Sequence, residues 1–315
     1  TDGTLNLTGN GKIYFKDNVG RGVAAGMYVK EHGDAVIANN EYMEFRNNIV
    51  HDKQTGRRYL RGLAIYGRGQ HRTYFSASEG HDIVIYDSAV FTDCPELYLN
   101  AVNKDGELEA TGGKIVFSGR YSQADLGMYT SGTYTERELQ LSRTSSINRS
   151  TTLYGGTISV EDSAILALNG LNVRGGAVLE LSNGTINNSV SGELDKSFLT
   201  MEQGSMLVLS GANSLKARTV TLEEGSSIKF FLESREGEAP MLAVDAELVQ
   251  GGTATLQLIH APVAEDACLV SMAAGATPAD WDFSKISLQV GGETQDNMHL
   301  YWQGGALYYS PYTIM

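Results

Sequence analysis

The sequence predicts an all-β chain of the β-solenoid type, closed by a β-rich capping segment from about residue 239 onward. Three observations predict it. Apolar residues alternate with polar ones in short runs, these runs recur along the chain, and 36 Gly stand against only 5 Pro at 42% hydrophobic residues. Alternation at every second position is the period of a half-buried strand and not of a helix. Many glycines suit short strands that are joined by tight turns.

The alternation can be followed strand by strand. In the first part of the chain it is carried by Ile13 and Phe15, Met43 and Phe45, Ile83 and Ile85, and Ile115 and Phe117. It continues with Ile158 and Val160, Leu179 and Leu181, Leu207 and Leu209, Val220 and Leu222, Ile228 and Phe230, and Leu256 and Leu258. From Gly155 to about Leu232 the runs recur at intervals of roughly 20 residues, which matches one turn of a solenoid.

The domain organisation follows from where this pattern is kept and where it breaks. Residues 1–238 are predicted to form the solenoid, and residues 239–315 a capping or junction segment with longer, less regular runs. A cap is expected because a bare solenoid end exposes unpaired backbone and core side chains. Two stretches, near residues 51–74 and 124–152, are interpreted as loop insertions, which in stacked folds often form the binding face.

Charge and cysteine content narrow the possible partners. With 24 Lys and Arg against 37 Asp and Glu, the net charge of -13 opposes binding to nucleic acid or to anionic lipid. Cys94 and Cys268 lack metal or redox spacing and are interpreted as small buried hydrophobes, although their pairing stays open. The opening residues carry no signal peptide pattern, and no run reaches the roughly 18 apolar residues of a transmembrane helix.

The carboxylates of the chain include candidates for a catalytic site. A glycan-cleaving β-helix needs two or three acids within about 5–10 Å on an exposed strand face. The best candidates are Asp82, Asp87 and Asp93, with His81 beside them. Aspartates at strand boundaries are common in turns, so a structural role is favoured and catalysis is the alternative. The six histidines are scattered without ligand spacing, and neither a metal nor another cofactor is predicted.

The most informative local feature is a basic segment in an acidic chain. Six of the 24 basic residues fall between Lys53 and Arg72, interleaved with tyrosines. The residues predicted to bind a ligand are Arg57, Arg58, Tyr59, Arg61, Tyr66, Arg68 and Arg72. Arginine suits carboxylates and sulfates, and tyrosine faces suit sugar rings, so an acidic glycan is the expected ligand. The alternative is that these arginines neutralise neighbouring acids and stack on tyrosines of the same segment.

Two short motifs carry a family resemblance. F-x-x-N occurs at Phe15–Asn18 and Phe45–Asn48, and G-G-A-[ILV] at residues 175–178 and 304–307, with looser copies at 112–115 and 155–158. The chain thereby resembles the passenger part of polymorphic outer-membrane-type autotransporters. Phe suits the interior of a solenoid, and Asn tolerates the left-handed turn conformation and hydrogen-bonds to backbone.

This resemblance implies a right-handed parallel β-helix outside the cell, secreted or anchored to the outer membrane through a part not in this chain. It implies a noncatalytic surface passenger, an adhesin that binds host glycan or extracellular matrix through loops on the solenoid. A carbohydrate-active β-helix enzyme, either a polysaccharide lyase or a glycoside hydrolase, is the alternative. A pure spacer is a third reading. The oligomeric state is left open.

Overall fold

The fold is nearly all-β. The computed structural model describes residues 4–30, 34–51, 58–67, 71–120, 139–140, 144–187, 197–234, 237–273, 278, 280–296 and 299–312. Helical structure within these ranges is limited to short 3-10 turns, which include Leu232–Ser234 and Phe283–Lys285. None of the helical structure in the described ranges could span a membrane. The chain divides into two compact units, Thr1–Ala167 and Leu168–Met315.

The first unit is built from short strands. They are β1 (Leu5–Thr8), β2 (Lys12–Lys16), β3 (Val19–Arg21), β4 (Met27–Lys30), β5 (Ala35–Ala38), β6 (Tyr42–Arg46), β7 (Ile49–His51), β8 (Arg58–Tyr66), β9 (Arg72–Phe75), β10 (Asp82–Ile85), β11 (Ser88–Thr92), β12 (Glu96–Leu99), β13 (Ala101–Lys104), β14 (Glu107–Ala110), β15 (Lys114–Ser118), β16 (Leu139–Gln140), β17 (Thr144–Leu153) and β18 (Thr157–Glu161).

Parallel pairing dominates this unit. In the order β2-β6-β10-β15-β18, Ile13 pairs with Met43, Met43 with Ile83, Ile83 with Ile115, and Ile115 with Ile158. Met43, Ile83, Ile115 and Ile158 are buried. The alternation in the sequence therefore places one row of apolar side chains inside. Two further parallel ladders run β1-β5-β9-β12-β17 and β4-β8-β11-β17. This arrangement is compatible with a β-solenoid.

The F-x-x-N motifs lie one above the other in this unit. The rings of Phe15 and Phe45 are stacked, with centroids 4.8 Å apart and planes 6° from parallel. Asn18 Nδ2 donates to Asn48 Oδ1 over 2.7 Å, and Asn48 Nδ2 donates to the carbonyl of Phe15 over 2.8 Å. The left-handed conformation falls on the residue before the motif asparagine, Asn47 in the second copy, with φ 59. The asparagines themselves therefore link neighbouring strands rather than form the turn.

The second unit contains the remaining strands, the first of which begins just before it. They are β19 (Ile165–Val173), β20 (Val178–Ser182), β21 (Thr185–Asn187), β22 (Phe198–Met201), β23 (Met206–Ser210), β24 (Asn213–Leu222), β25 (Ser226–Phe231), β26 (Leu242–Gln250), β27 (Ala254–Ile259), β28 (Ala267–Met272), β29 (Ile286–Val290), β30 (Glu293–Gln295), β31 (Leu300–Gln303) and β32 (Ala306–Tyr309).

Its main ladder is again parallel, in the order β20-β23-β25-β27-β29, and it pairs Leu179, Leu207, Ile228, Leu256 and Leu288 in register. The interval of roughly 20 residues predicted for this region fits the step from Leu207 to Ile228 but not the step from Leu179 to Leu207. The longer step also contains β21 and β22, which pair with β24 in a different ladder. Each turn of the chain therefore uses more than one strand.

The segment after residue 238 combines two kinds of pairing. Parallel ladders continue through β26, β27 and β29, whereas β28–β32, β29–β30 and β31–β32 are antiparallel. The G-G-A-L motif at residues 304–307 lies in the tight turn of the antiparallel β31–β32 pair, with φ 59 at Gly304 and 77 at Gly305. This copy thus differs in context from Gly175–Val178, which leads into a parallel strand. The capping role stays a prediction.

Part of the predicted insertion at residues 51–74 lies in the ladders. Arg58–Tyr66 and Arg72–Phe75 are strands, which pair in parallel with β11 and β12, and the predicted insertion ends within the second of them. Residues 52–57 and 68–70 lie outside the described ranges. In the second predicted insertion, Thr144–Leu153 is strand β17, and much of residues 124–143 lies outside the described ranges as well.

Candidate functional site

The basic segment enters the first unit as strand β8. This strand pairs in parallel with β4 and β11 along its second half and antiparallel with β7 along its first half. Leu60, Leu63 and Ile65 are fully buried and fix the strand in the core. Arg58, at the start of the strand, is only half-buried and reaches the surface.

Strand pairing brings Arg58 next to two basic residues that precede the predicted segment. Arg21 of β3 pairs with His51 of β7, and His51 pairs with Arg58 of β8. Directly opposed residues in neighbouring strands lie on the same face of the sheet with their Cβ atoms about 5 Å apart. We call Arg21, His51 and Arg58 the cationic row.

A pocket of about 140 Å³ lies at the cationic row. Its lining consists of the three basic residues together with Val19, Gly20 and Ile49, and none of these described lining residues is acidic. The guanidinium groups of Arg21 and Arg58, on the two strands that flank β7, can each donate paired hydrogen bonds to a carboxylate, sulfate or phosphate. The pocket therefore suits a small anionic group.

Two further arginines of the predicted site, Arg61 and Arg72, make contacts that the structure describes in detail. The Arg61 guanidinium lies 4.7 Å from the centroid of the Tyr59 ring, and its Nη1 donates to the carbonyl of Val23 over 3.3 Å. Arg72 Nε donates to Glu96 Oε2 over 3.0 Å, and this hydrogen bond is the main cause that raises the pKa of Arg72. For Arg61 and Arg72, the alternative reading of internal stacking and neutralisation is the one that the geometry favours.

The remaining predicted residues are placed as follows. Tyr66 is half-buried and meets Tyr28 edge-on, with ring centroids 5.7 Å apart. Arg57 and Arg68 lie outside the described residues. Of the predicted residues that the structure describes, Arg58 lines the charged pocket, and Arg61 and Arg72 are not part of its lining.

The three aspartates considered for catalysis occupy unlike environments. Asp82 is exposed at the start of β10, whereas Asp87 is buried at 4% exposure and accepts three hydrogen bonds from Asn47 and Asn48. The Asp93 carboxylate is exposed and lies 3.6 Å from the Arg149 guanidinium. Three aspartates in such different environments do not provide an acid and a base that face one substrate.

Metal binding and thiol reactivity depend on how the histidines, acids and cysteines are placed. No group of three or more His, Cys, Asp or Glu among those residues could hold a metal ion. Cys94 and Cys268 form no disulfide and are buried, as their interpretation as small hydrophobes predicts. Burial raises the pKa of the Cys94 thiol, which disfavours the reactive thiolate.

Comparisons with protein-family models, curated proteins and solved structures yield no match for this chain. The function of the chain is consequently inferred from its own residues. Sequence reasoning missed Arg21 and His51, because they lie outside the basic segment. The signal was present in the first two F-x-x-N copies, whose asparagines are 30 residues apart. The same spacing relates Arg21 to His51.

Proposed function

We propose that the chain is a noncatalytic extracellular passenger that binds acidic glycans, with the cationic row as part of its binding surface. The proposal includes the finer architecture, a right-handed parallel β-helix like that of polymorphic outer-membrane-type autotransporters. It also includes display at the cell surface, or secretion, and a role in adhesion to host glycan or matrix. The in-register stacking of the two F-x-x-N copies supports the architectural part.

The single observation that carries the ligand class is the pairing of Arg21, His51 and Arg58 across three adjacent strands. The chain has a net charge of -13, so a local row of basic side chains stands out from the predominantly acidic composition. Repulsion from the rest of the surface disfavours a long polyanion such as nucleic acid. A single sulfate or carboxylate on a sugar needs only the local row.

The proposal that the chain is noncatalytic is based on the positions of its carboxylates. The candidates that the sequence offered are separated into a buried structural aspartate, an exposed one and one beside an arginine. An acid and base pair would need two carboxylates facing the same bond. A carbohydrate-active enzyme remains the alternative, and a polysaccharide-cleavage assay run beside the binding measurements decides between them, because released oligosaccharide would favour the enzyme.

The test is calorimetric titration of the intact chain with 3′-sialyllactose and with a sulfated heparin tetrasaccharide. Lactose serves as the uncharged comparison for the sialylated sugar. We expect an acidic sugar to bind, its affinity to fall as salt is raised, and the double variant Arg21→Ser/Arg58→Ser to bind at least about tenfold more weakly.

Arg218→Ser is the matched control, since Arg218 is an exposed arginine on a strand of the second unit. It should change the affinity less than about twofold. The proposal is wrong if neither acidic sugar binds, or if the double variant and Arg218→Ser weaken binding equally. A spacer would show no binding under any of these conditions.

A further inference from the structure

A second concave surface lies on the outer face of strands β2, β6 and β10. It is an open groove of about 450 Å³, and its lining includes Lys12, Tyr14, Lys16, Tyr42, Glu44 and Asp82. Lys12, Tyr42 and Asp82 are paired in one register row, and Tyr14 pairs with Glu44 in the next. The groove therefore crosses three strands of the ladder, and its lining shares no residue with the cationic row.

A buried carboxylate organises the groove. Glu44 is 5% exposed although it lies on the polar side of β6. Its Oε1 atom lies 3.0 Å from Lys16 Nζ and 3.1 Å from Arg46 Nε, and its Oε2 atom accepts a hydrogen bond from the Tyr42 hydroxyl over 2.6 Å. Burial and the neighbouring Glu44 raise the pKa of Tyr42, so the phenol stays a donor. Polar side chains from two strands are thus held in fixed positions.

Aromatic rings flank this polar cluster. The Tyr14 side chain is 50% exposed, and its ring centroid is 5.7 Å from that of Tyr42 at a tilt of 55°. Lys16 Nζ lies 4.5 Å from the centroid of the Tyr14 ring, which restrains the ring beside the groove. An exposed, restrained tyrosine offers a flat apolar face with a hydroxyl at its edge.

The charges of the groove nearly balance. Two lysines stand against the carboxylates of Glu41, Glu44 and Asp82, and Lys16 is already paired with Glu44. A strongly anionic ligand would meet Glu41 and Asp82 as well as the overall negative charge. The lining instead supplies a mixture of hydrogen-bond donors and acceptors next to an aromatic face. This is the chemistry that recognises a neutral polyhydroxylated molecule.

The size of the groove agrees with a short chain of sugars. Neighbouring strands lie about 4.8 Å apart, so three strands span about 10 Å between their axes. A hexose unit is comparable in length to one strand spacing. Each strand can therefore present its outward polar groups to a different sugar of the same oligosaccharide.

We propose that the groove of β2, β6 and β10 binds a neutral oligosaccharide, with Tyr14 as the stacking surface and with Lys12, Tyr42 and Asp82 as its hydrogen-bonding row. This site is independent of the cationic row in its residues, in its strands and in the charge of its ligand. The chain thereby has two glycan sites of different chemistry within its first unit.

The experiment titrates the intact chain with four neutral tetrasaccharides, namely maltotetraose, cellotetraose, chitotetraose and β-1,4-mannotetraose. We expect at least one of them to bind with an affinity that raised salt leaves unchanged. Tyr14→Ala should weaken that binding about tenfold. Tyr14→Phe keeps the ring and should retain most of the affinity.

Tyr28→Ala is the matched control, because Tyr28 is also an exposed tyrosine, at 42%, on a strand that precedes β5. It should bind the tetrasaccharide as the unaltered chain does, and so should Arg21→Ser/Arg58→Ser. The inference is overturned if none of the four sugars binds, or if Tyr14→Ala and Tyr28→Ala behave alike. Neither result bears on the binding of sialylated or sulfated sugars, so the two proposals fail separately.

Discussion

Two buried carboxylates lie in the same region of the first unit and differ in nearly everything except burial. Asp87 is 4% exposed and Glu44 5%. Asp87 follows strand β10 and points among backbone groups, whereas Glu44 belongs to β6 and lines an open groove. Burial alone therefore does not indicate the role of a carboxylate. The groups that surround the carboxylate are more informative.

The donors of Asp87 belong to the framework. Its Oδ1 atom accepts from the backbone N–H of Asn47 over 2.9 Å, and its Oδ2 atom accepts from the N–H and the side-chain amide of Asn48 over 3.1 and 2.7 Å. A Cβ on Gly62 would come within 2.9 Å of Oδ2 and 2.7 Å of the Phe45 Cβ, so the site is closed by a strand that approaches tightly. Asp87 thus continues the asparagine ladder of the F-x-x-N motifs.

The groups around Glu44 are side chains that also reach the surface, two of them in ion pairs with its carboxylate. Lys16 and Arg46 are 39% and 30% exposed, and the Tyr42 hydroxyl completes the set. The Arg46 guanidinium also lies 3.9 Å from the centroid of the Tyr86 ring. These groups keep contact with solvent, so the cluster can hydrogen-bond outward without unfolding the strands around it. The comparison predicts that Asp87 affects stability and Glu44 affects binding.

The largest effect is expected from Asp87→Ala. The substitution leaves three donors buried without an acceptor, and each such donor costs about 1–3 kcal/mol. We expect the free energy of unfolding to fall by at least about 3 kcal/mol, measured by urea denaturation. Asp82→Ala, at an exposed position at the start of β10, should change it by less than about 0.5 kcal/mol. Equal effects of the two substitutions would remove the distinction between the framework and the groove.

The pH dependence of stability gives a smaller effect. Burial raises the pKa of Asp87 from 3.8 to about 6, against the opposing hydrogen bonds from Asn48 and Asn47. The folded chain therefore holds this proton more tightly than the unfolded chain. The resulting stabilisation is complete below the unfolded pKa and is lost as the pH rises through about 6. Between pH 7 and pH 5 it should grow by roughly 1 kcal/mol.

Asp87→Asn isolates that contribution, because the variant lacks the titrating group. The difference in unfolding free energy between the unaltered chain and the variant should shift in favour of the unaltered chain from pH 7 to pH 5. A difference that stays constant across this range would mean that the three donors hold the carboxylate ionised and that its pKa is not raised.

The alternation of apolar and polar residues predicted much of the fold. The two candidate sites depend on which residues face each other across neighbouring strands, and the alternation does not specify that. Ile83 and Ile115 were assigned to one buried face, and they pair in register. The same pattern places Glu44 on the polar face, but it contains no information on the side chains of the preceding strand that cover it. Arg21 and His51 were missed for a related reason, since their alignment depends on the length of a whole repeat. A local sequence pattern indicates that a strand forms, whereas its register depends on residues that are distant in the sequence.

The smallest effect on stability, and the sharpest test of the comparison, is expected from Glu44→Gln. The amide can still accept from Tyr42, and the ion pairs that are lost involve two partly exposed cations, so the unfolding free energy should change by less than about 1 kcal/mol. Binding of a neutral tetrasaccharide should nevertheless weaken several-fold, because Lys16, which lines the groove, loses the charge that fixes its side chain there. Glu180→Gln, at a strand position of the second unit, should alter neither quantity. If Glu44→Gln destabilises the chain as strongly as Asp87→Ala while leaving sugar binding intact, then Glu44 is a framework residue and the groove loses its organising group.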